Sequence, residues 1–133
     1  MGAATLPDAA TPTGETRTAL VRRARRIHRE LARLYPDVHC ELDFASPFQL
    51  LGATILSAQC TDRRVNAVTP LLFDRYPDPA ALAGAAREDV EAIIQPTGFF
   101  RAKAQTLIGM SAELVSRFDG EVPSRLDDLV TLP

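Results

Sequence analysis

The chain has 133 residues, of which 46% are hydrophobic and 24% charged, and its formal net charge is -2. This length and composition are typical of one globular domain of a cytoplasmic protein. The lack of a long apolar run excludes a membrane span, and the slightly negative charge gives no global reason to bind a polyanion. Two cysteines, Cys40 and Cys60, are too few for a four-cysteine metal or iron–sulfur site, so we expect no metal in this chain.

The N-terminal region divides into a tail and a helix. Residues 1–15 are small, contain proline and lack periodic apolar positions, so they are predicted to be a disordered tail. A helical domain is expected over residues 16–133. Its first helix runs from about Thr16 to Tyr35, where apolar residues recur at spacings of three and four, and Pro36 ends it. The arginines beside this apolar stripe are most simply a solvated face.

The sequence SPFQ contains the clearest helix start. Ser46 is suited to cap a helix, Pro47 to occupy its first position, and Gln49 to complete a capping box. The residues that follow are apolar on nearly every face, which predicts a central, buried helix.

Similar local signals predict the remaining helices. Asp62 is a suitable cap for a helix that Pro70 should kink or shorten, and Gly120 is a natural stop for a later, longer helix. No segment alternates with the period of a strand, so the chain is predicted to be all-α, with six or seven short helices. After the first, these helices should begin near Ser46, Asp62, Asp78, Arg87, Phe100 and Ser124.

The first candidate site is ILSAQCTD, residues 55–62, where an apolar run breaks abruptly into polar residues. Thr61 and Asp62 are most simply explained as caps of the next helix. Gln59 is harder to explain, because glutamine is neither a preferred helix cap nor a turn former. An amide at the end of a rigid core helix is well placed to hydrogen-bond to a ligand, so Gln59 is a candidate binding residue.

The second candidate site is QPTGFFRAKA, residues 95–104. Phe99 and Phe100 cannot both face one core, because neighbours on a helix point about 100° apart. One of them should therefore be exposed. An exposed aromatic side chain beside Arg101 and Lys103 suits binding to nucleic acid. A hydrophobic contact beneath the loop is the alternative that the residues leave open.

Three segments together resemble endonuclease III, a helix-hairpin-helix DNA glycosylase and abasic-site lyase of base excision repair. They are PFQLLGATILSAQCTDRRVN, TGFFRAKA and GEVPSRLDDLVTLP, and the resemblance covers about residues 17–133. SAQCTD with GFFRAKA fits this family better than the related adenine glycosylases. The resemblance implies a partial six-helix barrel, damaged double-stranded DNA as the partner, and a bacterial cytoplasmic location on the nucleoid, without a membrane.

The resemblance also implies roles for the two motifs. Gln59 would enter the duplex and fill the space left by an extruded nucleotide, while Phe99, where leucine is common, would wedge between bases of the other strand. Extrusion costs roughly a few kcal/mol of stacking and pairing, which a plug and a wedge offset. The implied DNA-binding residues are Gln59, Thr61, Asp62, Phe99, Arg101 and Lys103.

Several catalytic parts of the family have no counterpart in these residues. The family uses a lysine that forms a Schiff base, a supporting aspartate, a hairpin that follows LP, and usually four cysteines that hold a [4Fe–4S] cluster. Here LP is Leu132–Pro133, and Lys103 does not match the family's nucleophile. We therefore expect no catalytic residue in this chain, no hairpin or iron–sulfur domain, and a cluster only in full-length members.

The leading hypothesis is thus the N-terminal part of a glycosylase and lyase that acts on oxidised pyrimidines, inactive as the 133-residue chain alone. Two alternatives remain. One is a non-enzymatic DNA-binding or interaction module that keeps the two motifs, and the other is a helix-turn-helix regulator, suggested by the polar residues after Asp62.

Overall fold

The computed structural model describes residues 14–133, and the regular elements among them are helices. These residues contain no strand, which confirms the all-α prediction. The tail predicted over residues 1–15 lies almost wholly outside them. The helices are α1 (Arg17–Leu34), α2 (Pro47–Leu56), α3 (Asp62–Arg75), α4 (Pro79–Ala83), α5 (Arg87–Ile94), α6 (Phe100–Phe118) and α7 (Leu126–Leu129), with a 3₁₀ turn at Gln95–Thr97.

The chain separates into two compact units, one ending at His39 and the other beginning at Cys40. The first unit contains α1, and the second contains α2 to α7. The expectation of one domain over residues 16–133 stays a prediction.

The first unit is built on an amphipathic helix without a buried residue. Thr16 caps α1, because its Oγ1 accepts the N–H of Ala19 at 3.2 Å, and Tyr35 follows the last helical residue. These bounds of α1 agree with the helix predicted from the sequence. The apolar stripe is 46–58% exposed at Leu20, Ile27, Leu31 and Leu34. An apolar stripe exposed to this degree favours association with other surfaces.

The predicted start of α2 is confirmed, with one difference. The Oγ of Ser46 accepts the N–H of Gln49 at 3.2 Å, and Pro47 is the first helical residue. The Oε1 of Gln49, however, accepts the N–H of Ala45 at 2.9 Å, one residue before the cap. The two bonds join both sides of the helix start and fix the direction in which the chain enters α2.

One side of α2 is packed closely against its neighbours. Its buried residues are Phe48, Gly52, Ala53 and Leu56. Thr54 on the opposite side is exposed, so α2 is less completely buried than its apolar sequence predicts. A Cβ added to Gly52 would lie 3.0 Å from Cζ of Phe73 and 3.7 Å from Cδ2 of Leu107. The glycine therefore allows side chains of α3 and α6 to approach the axis of α2.

The start and length of α3 differ from the prediction. Thr61 is the cap, since its Oγ1 accepts the N–H of Arg64 at 3.3 Å, while Asp62 is the first helical residue. A carboxylate in that turn is favoured by the helix dipole. Pro70 does not end the helix, which continues to Arg75. Val68, Leu72 and Phe73 on the inward face of α3 around the proline are buried, and their burial outweighs one missing backbone N–H.

The second unit is centred on α6, which packs against α2, α4 and α5. Gly120, with φ +76°, stops this helix as predicted, and its N–H donates to the carbonyl of Leu114 at 2.8 Å. Asp78 caps α4 as predicted, accepting the N–H of Ala81 at 2.8 Å. The inward face of α6 is buried at Ala104, Leu107, Ser111 and Leu114.

Candidate nucleic-acid interface

A cleft of about 370 Å³ lies between the end of α2 and the start of α6. Its lining brings together residues of the two motifs that the sequence singled out. Three of the six candidate residues, Gln59, Phe99 and Lys103, border this cleft, whereas the other three do not. The complete lining is Ile55, Ala58, Gln59, Phe99, Ala102, Lys103 and Thr106.

Gln59 lies just beyond α2 with an exposed side chain and a φ of +51°. A residue with a Cβ rarely adopts this left-handed conformation, which costs roughly 1–2 kcal/mol. Two hydrogen bonds hold the surrounding turn. The Oγ of Ser57 donates to the carbonyl of Thr54 at 2.7 Å, and the N–H of Cys60 donates to the carbonyl of Ser57 at 3.1 Å. The turn directs the Gln59 amide away from the core.

Phe99 immediately precedes α6 and is 68% exposed, while Phe100 is half-buried. The prediction that one of the two aromatics would be exposed is confirmed. Phe99 has a φ of +46°, and Gly98 before it has a φ of +72°. Two successive residues with positive φ turn the chain sharply between the 3₁₀ turn and α6, which projects the Phe99 ring from the surface.

Backbone strain is concentrated at these two positions. Among residues 14–133, the non-glycine residues with positive φ are Gln59, Phe99 and Asp119. Asp119 follows the last residue of α6, where a left-handed conformation is common. The other two are the residues that the sequence proposed as plug and wedge. Strain of this kind persists where the surrounding structure enforces it, often at binding sites.

Lys103, one of the implied DNA-binding residues, lies at the start of α6 beside the Phe99 turn. Its side chain is buried, with 6% exposed, and its Nζ donates to the carbonyls of Leu56 and Thr97, each at 2.8 Å. Burial of an ammonium group is costly unless such partners are present. The two carbonyls therefore compensate for much of the cost of burying this amine.

The remaining candidates lie beside the cleft. Thr61 and Asp62 begin α3, and the Asp62 carboxylate makes no hydrogen bond or ion pair with residues 14–133. Arg101 is exposed in the first turn of α6, where its Cζ lies 5.2 Å from the ring centre of Phe100. No side chain caps α6. A guanidinium beside an uncapped helix start attracts anions.

The described residues do not fit an iron–sulfur cluster. Cys40 is exposed and Cys60 half-buried, both as free thiols, whereas a [4Fe–4S] cluster requires four thiolates. Residues 14–133 contain no group of three or more His, Cys, Asp or Glu side chains that could hold a metal ion. Over the same range, no helix is long and apolar enough to cross a membrane.

Several residues that border the cleft carry no signal in the amino-acid sequence. Ala58, Ala102 and Thr106 are ordinary helix or turn residues, and nothing in their pattern distinguishes them. One signal was available for the carbonyl of Leu56, because the last carbonyls of a helix lack partners within that helix. A hydrogen-bond donor was therefore expected at the Leu56 carbonyl, but no local pattern identifies Lys103 as that donor.

Residues 53–131 match the model of the HhH-GPD superfamily of base excision DNA repair proteins. This range contains both motifs and the cleft that they form. The chain therefore belongs to the HhH-GPD superfamily of base excision DNA repair proteins, and its all-α fold is the fold of that family.

Within this superfamily, the chain is similar to endonuclease III. The endonuclease III of Synechocystis sp. is 56% identical over 111 residues, which are 84% of this chain and 51% of the relative. The endonuclease III of Bacillus subtilis is 39% identical over 100 residues, 75% of this chain and 46% of the relative. The chain thus spans about half the length of the relatives it matches. The predicted resemblance to endonuclease III is confirmed.

A solved structure of a trapped endonuclease III–DNA covalent intermediate matches with a TM-score of 0.78 and 41% identity. The match covers 84% of this chain and 53% of that chain. A thermostable thymine-DNA glycosylase matches with a TM-score of 0.76 at 15% identity, which supports the fold alone.

Proposed function

We propose that the protein acts in base excision repair as a DNA glycosylase and abasic-site lyase on oxidised pyrimidines, and that this chain opens the duplex. One observation carries the proposal: Gln59 and Phe99, both on strained backbone, border the same cleft. The similarity to endonuclease III, including a structure held covalently to DNA, supports damaged double-stranded DNA as the partner. The bacterial cytoplasm, where chromosomal DNA lies, is the proposed location.

The two side chains suit opposite tasks in a distorted duplex. The Gln59 amide both donates and accepts hydrogen bonds, so it can pair with the edge of a base that has lost its partner. The exposed Phe99 ring can stack on a base, which contributes about 1–3 kcal/mol. Together these contacts offset the cost of extruding a nucleotide, roughly a few kcal/mol.

The other candidates would assist in different ways. Arg101 would neutralise a backbone phosphate beside the start of α6. Thr61 and Asp62 would border the pocket that receives the base, since they begin α3 directly after the Gln59 turn. Lys103 would act from inside the protein.

The chemical step needs residues that we do not assign within this chain. A Schiff-base lyase requires an accessible amine of depressed pKa. Lys103 is the only lysine of the sequence, and two backbone carbonyls hold its Nζ. We propose that full-length members of the family supply the nucleophile, its supporting aspartate and a [4Fe–4S] cluster. A non-enzymatic DNA-binding role for the 133-residue chain is the second candidate, favoured by the burial of Lys103.

Borohydride treatment of the chain mixed with abasic-site DNA is expected to trap no covalent adduct at Lys103. The buried amine cannot reach C1′ without losing both of its hydrogen bonds. Denaturing electrophoresis followed by peptide mass mapping measures the result. An adduct mapped to Lys103 would contradict the assignment of this residue to a structural role.

The duplex-opening role is tested with Gln59→Ala and Phe99→Ala. Each is expected to weaken binding to a duplex with a tetrahydrofuran abasic analogue by about tenfold, equivalent to roughly 1.4 kcal/mol. Binding to the intact duplex should change little, because neither side chain inserts there. Fluorescence anisotropy titration at fixed salt measures both affinities.

Matched controls are Gln105→Ala and Leu71→Ala, which truncate an exposed amide and an exposed apolar side chain outside the cleft. Both should keep the preference for the abasic duplex. The plug and wedge roles fail if Gln59→Ala and Phe99→Ala weaken binding to the two duplexes equally.

A further inference from the structure

We propose that Lys103 is a positioning residue that fixes the Gln59 turn and the Phe99 turn relative to each other, so that both side chains enter damaged DNA together. This inference rests on the proposed function. It assigns Lys103 no contact with DNA.

A single ammonium group joins three segments. Its carbonyl partner Leu56 is the last residue of α2, three residues before Gln59. Its other partner, Thr97, is the last residue of the 3₁₀ turn, two residues before Phe99. Lys103 itself lies near the start of α6. The two turns are far apart in sequence, and this amine connects them directly.

The chemistry of the site favours a cation at this position. The last carbonyl of a helix has no partner within that helix and lies at the negative end of the helix dipole. Hydrogen bonds from an ionised donor are roughly twice as strong as neutral ones. An apolar side chain could fill the same space but could not hold either carbonyl, so the arrangement does more than pack the core.

The backbone strain explains why such a connection is required. Gln59 and Phe99 each occupy a left-handed conformation that costs free energy. Without the ammonium, each turn is free to relax independently into a more common conformation. The paired insertion would then lose its preorganised geometry, while sequence-independent phosphate contacts by Arg101 would remain.

Lys103→Met in the 133-residue chain tests the inference, because methionine is an unbranched side chain only one atom shorter than lysine and cannot donate a hydrogen bond. The first measurement is amide hydrogen exchange at Cys60 and Gly98, whose N–H groups donate within the two turns at 3.1 and 3.2 Å. Both amides should exchange at least about tenfold faster. The ratio of affinities for abasic and intact duplexes should fall by about tenfold.

The control is Leu114→Val, which lowers stability in a buried part of α6 away from the cleft. Compared at temperatures that give equal fractions of folded protein, it should leave both the loop exchange and the affinity ratio unchanged. If Lys103→Met does not fold, Lys103→Gln replaces it. The shorter, neutral amide of glutamine cannot hold both carbonyls as the ammonium does, and the same two changes are expected.

The outcomes separate the two proposals. Unchanged exchange, or faster exchange in only one turn, overturns the positioning role of Lys103. A variant that keeps the affinity ratio of the unmutated chain overturns it as well, while leaving the duplex-opening function in place. An unmutated chain that does not prefer abasic DNA overturns the proposed function itself.

Discussion

The Gln59→Ala/Phe99→Ala double variant is expected to lose essentially all preference for an abasic duplex over an intact one. Each side chain supplies a contact that forms only when the duplex is opened, so the combined loss should reach about a hundredfold, or roughly 2.7 kcal/mol. Residual binding should be the salt-dependent, sequence-independent component that exposed arginines provide. Anisotropy titration against both duplexes at two salt concentrations measures this result.

The double variant also reports whether Gln59 and Phe99 act in the same nucleotide-extrusion step. A combined loss that differs from the additive hundredfold would show that one extrusion step couples the two side chains, and the difference from additivity measures their coupling. The matched Gln105→Ala/Leu71→Ala double variant should behave like the unmutated chain. Retention of a tenfold or larger preference by the Gln59→Ala/Phe99→Ala protein would mean that other residues open the duplex.

Leu107→Ala is expected to lower the free energy of unfolding by about 2–5 kcal/mol. Leu107 is fully buried in α6, and its Cδ2 reaches the close contact between α2 and α6 at Gly52. Truncation leaves a cavity where the helices cannot easily move closer. Urea denaturation followed by circular dichroism measures the loss in free energy of unfolding. If the unmutated chain is only marginally stable, the Leu107→Ala variant is unfolded without urea.

Leu31→Ala is the matched control, because the same side chain in α1 is 51% exposed. Its effect should stay within about 0.5 kcal/mol, as for most surface substitutions. A loss comparable to that of Leu107→Ala would mean that another surface covers the apolar stripe of α1 in solution.

The helix starts and stops could be predicted from sequence because they depend on neighbouring residues. Ser46, Asp78 and Gly120 act as expected, since a cap needs only its own side chain or backbone and an amide a few residues away. The exchange of roles between Thr61 and Asp62 is an error of one residue within a correctly located helix start. Local chemistry fixes such features, and tertiary packing adds little.

Other features could not be predicted because they depend on residues far away in sequence. The partners of Lys103 include a carbonyl 47 residues earlier, and no local pattern identifies that pairing. Pro70 was expected to kink or shorten α3, but the helix continues past it to Arg75, because packing by other helices supports it. The motifs named Gln59 and Phe99 as candidates, but only the folded backbone revealed that both are left-handed.

The burial of Lys103 also has a practical consequence for proteolysis. A lysine-specific protease has one cleavage position in this sequence, after Lys103, and that position lies within α6 and is buried. The folded chain should resist cleavage, whereas the unfolded chain yields only the fragments 1–103 and 104–133. The ratio of cleaved to intact chain on a gel would then report the folded fraction of the protein and of each variant that keeps Lys103.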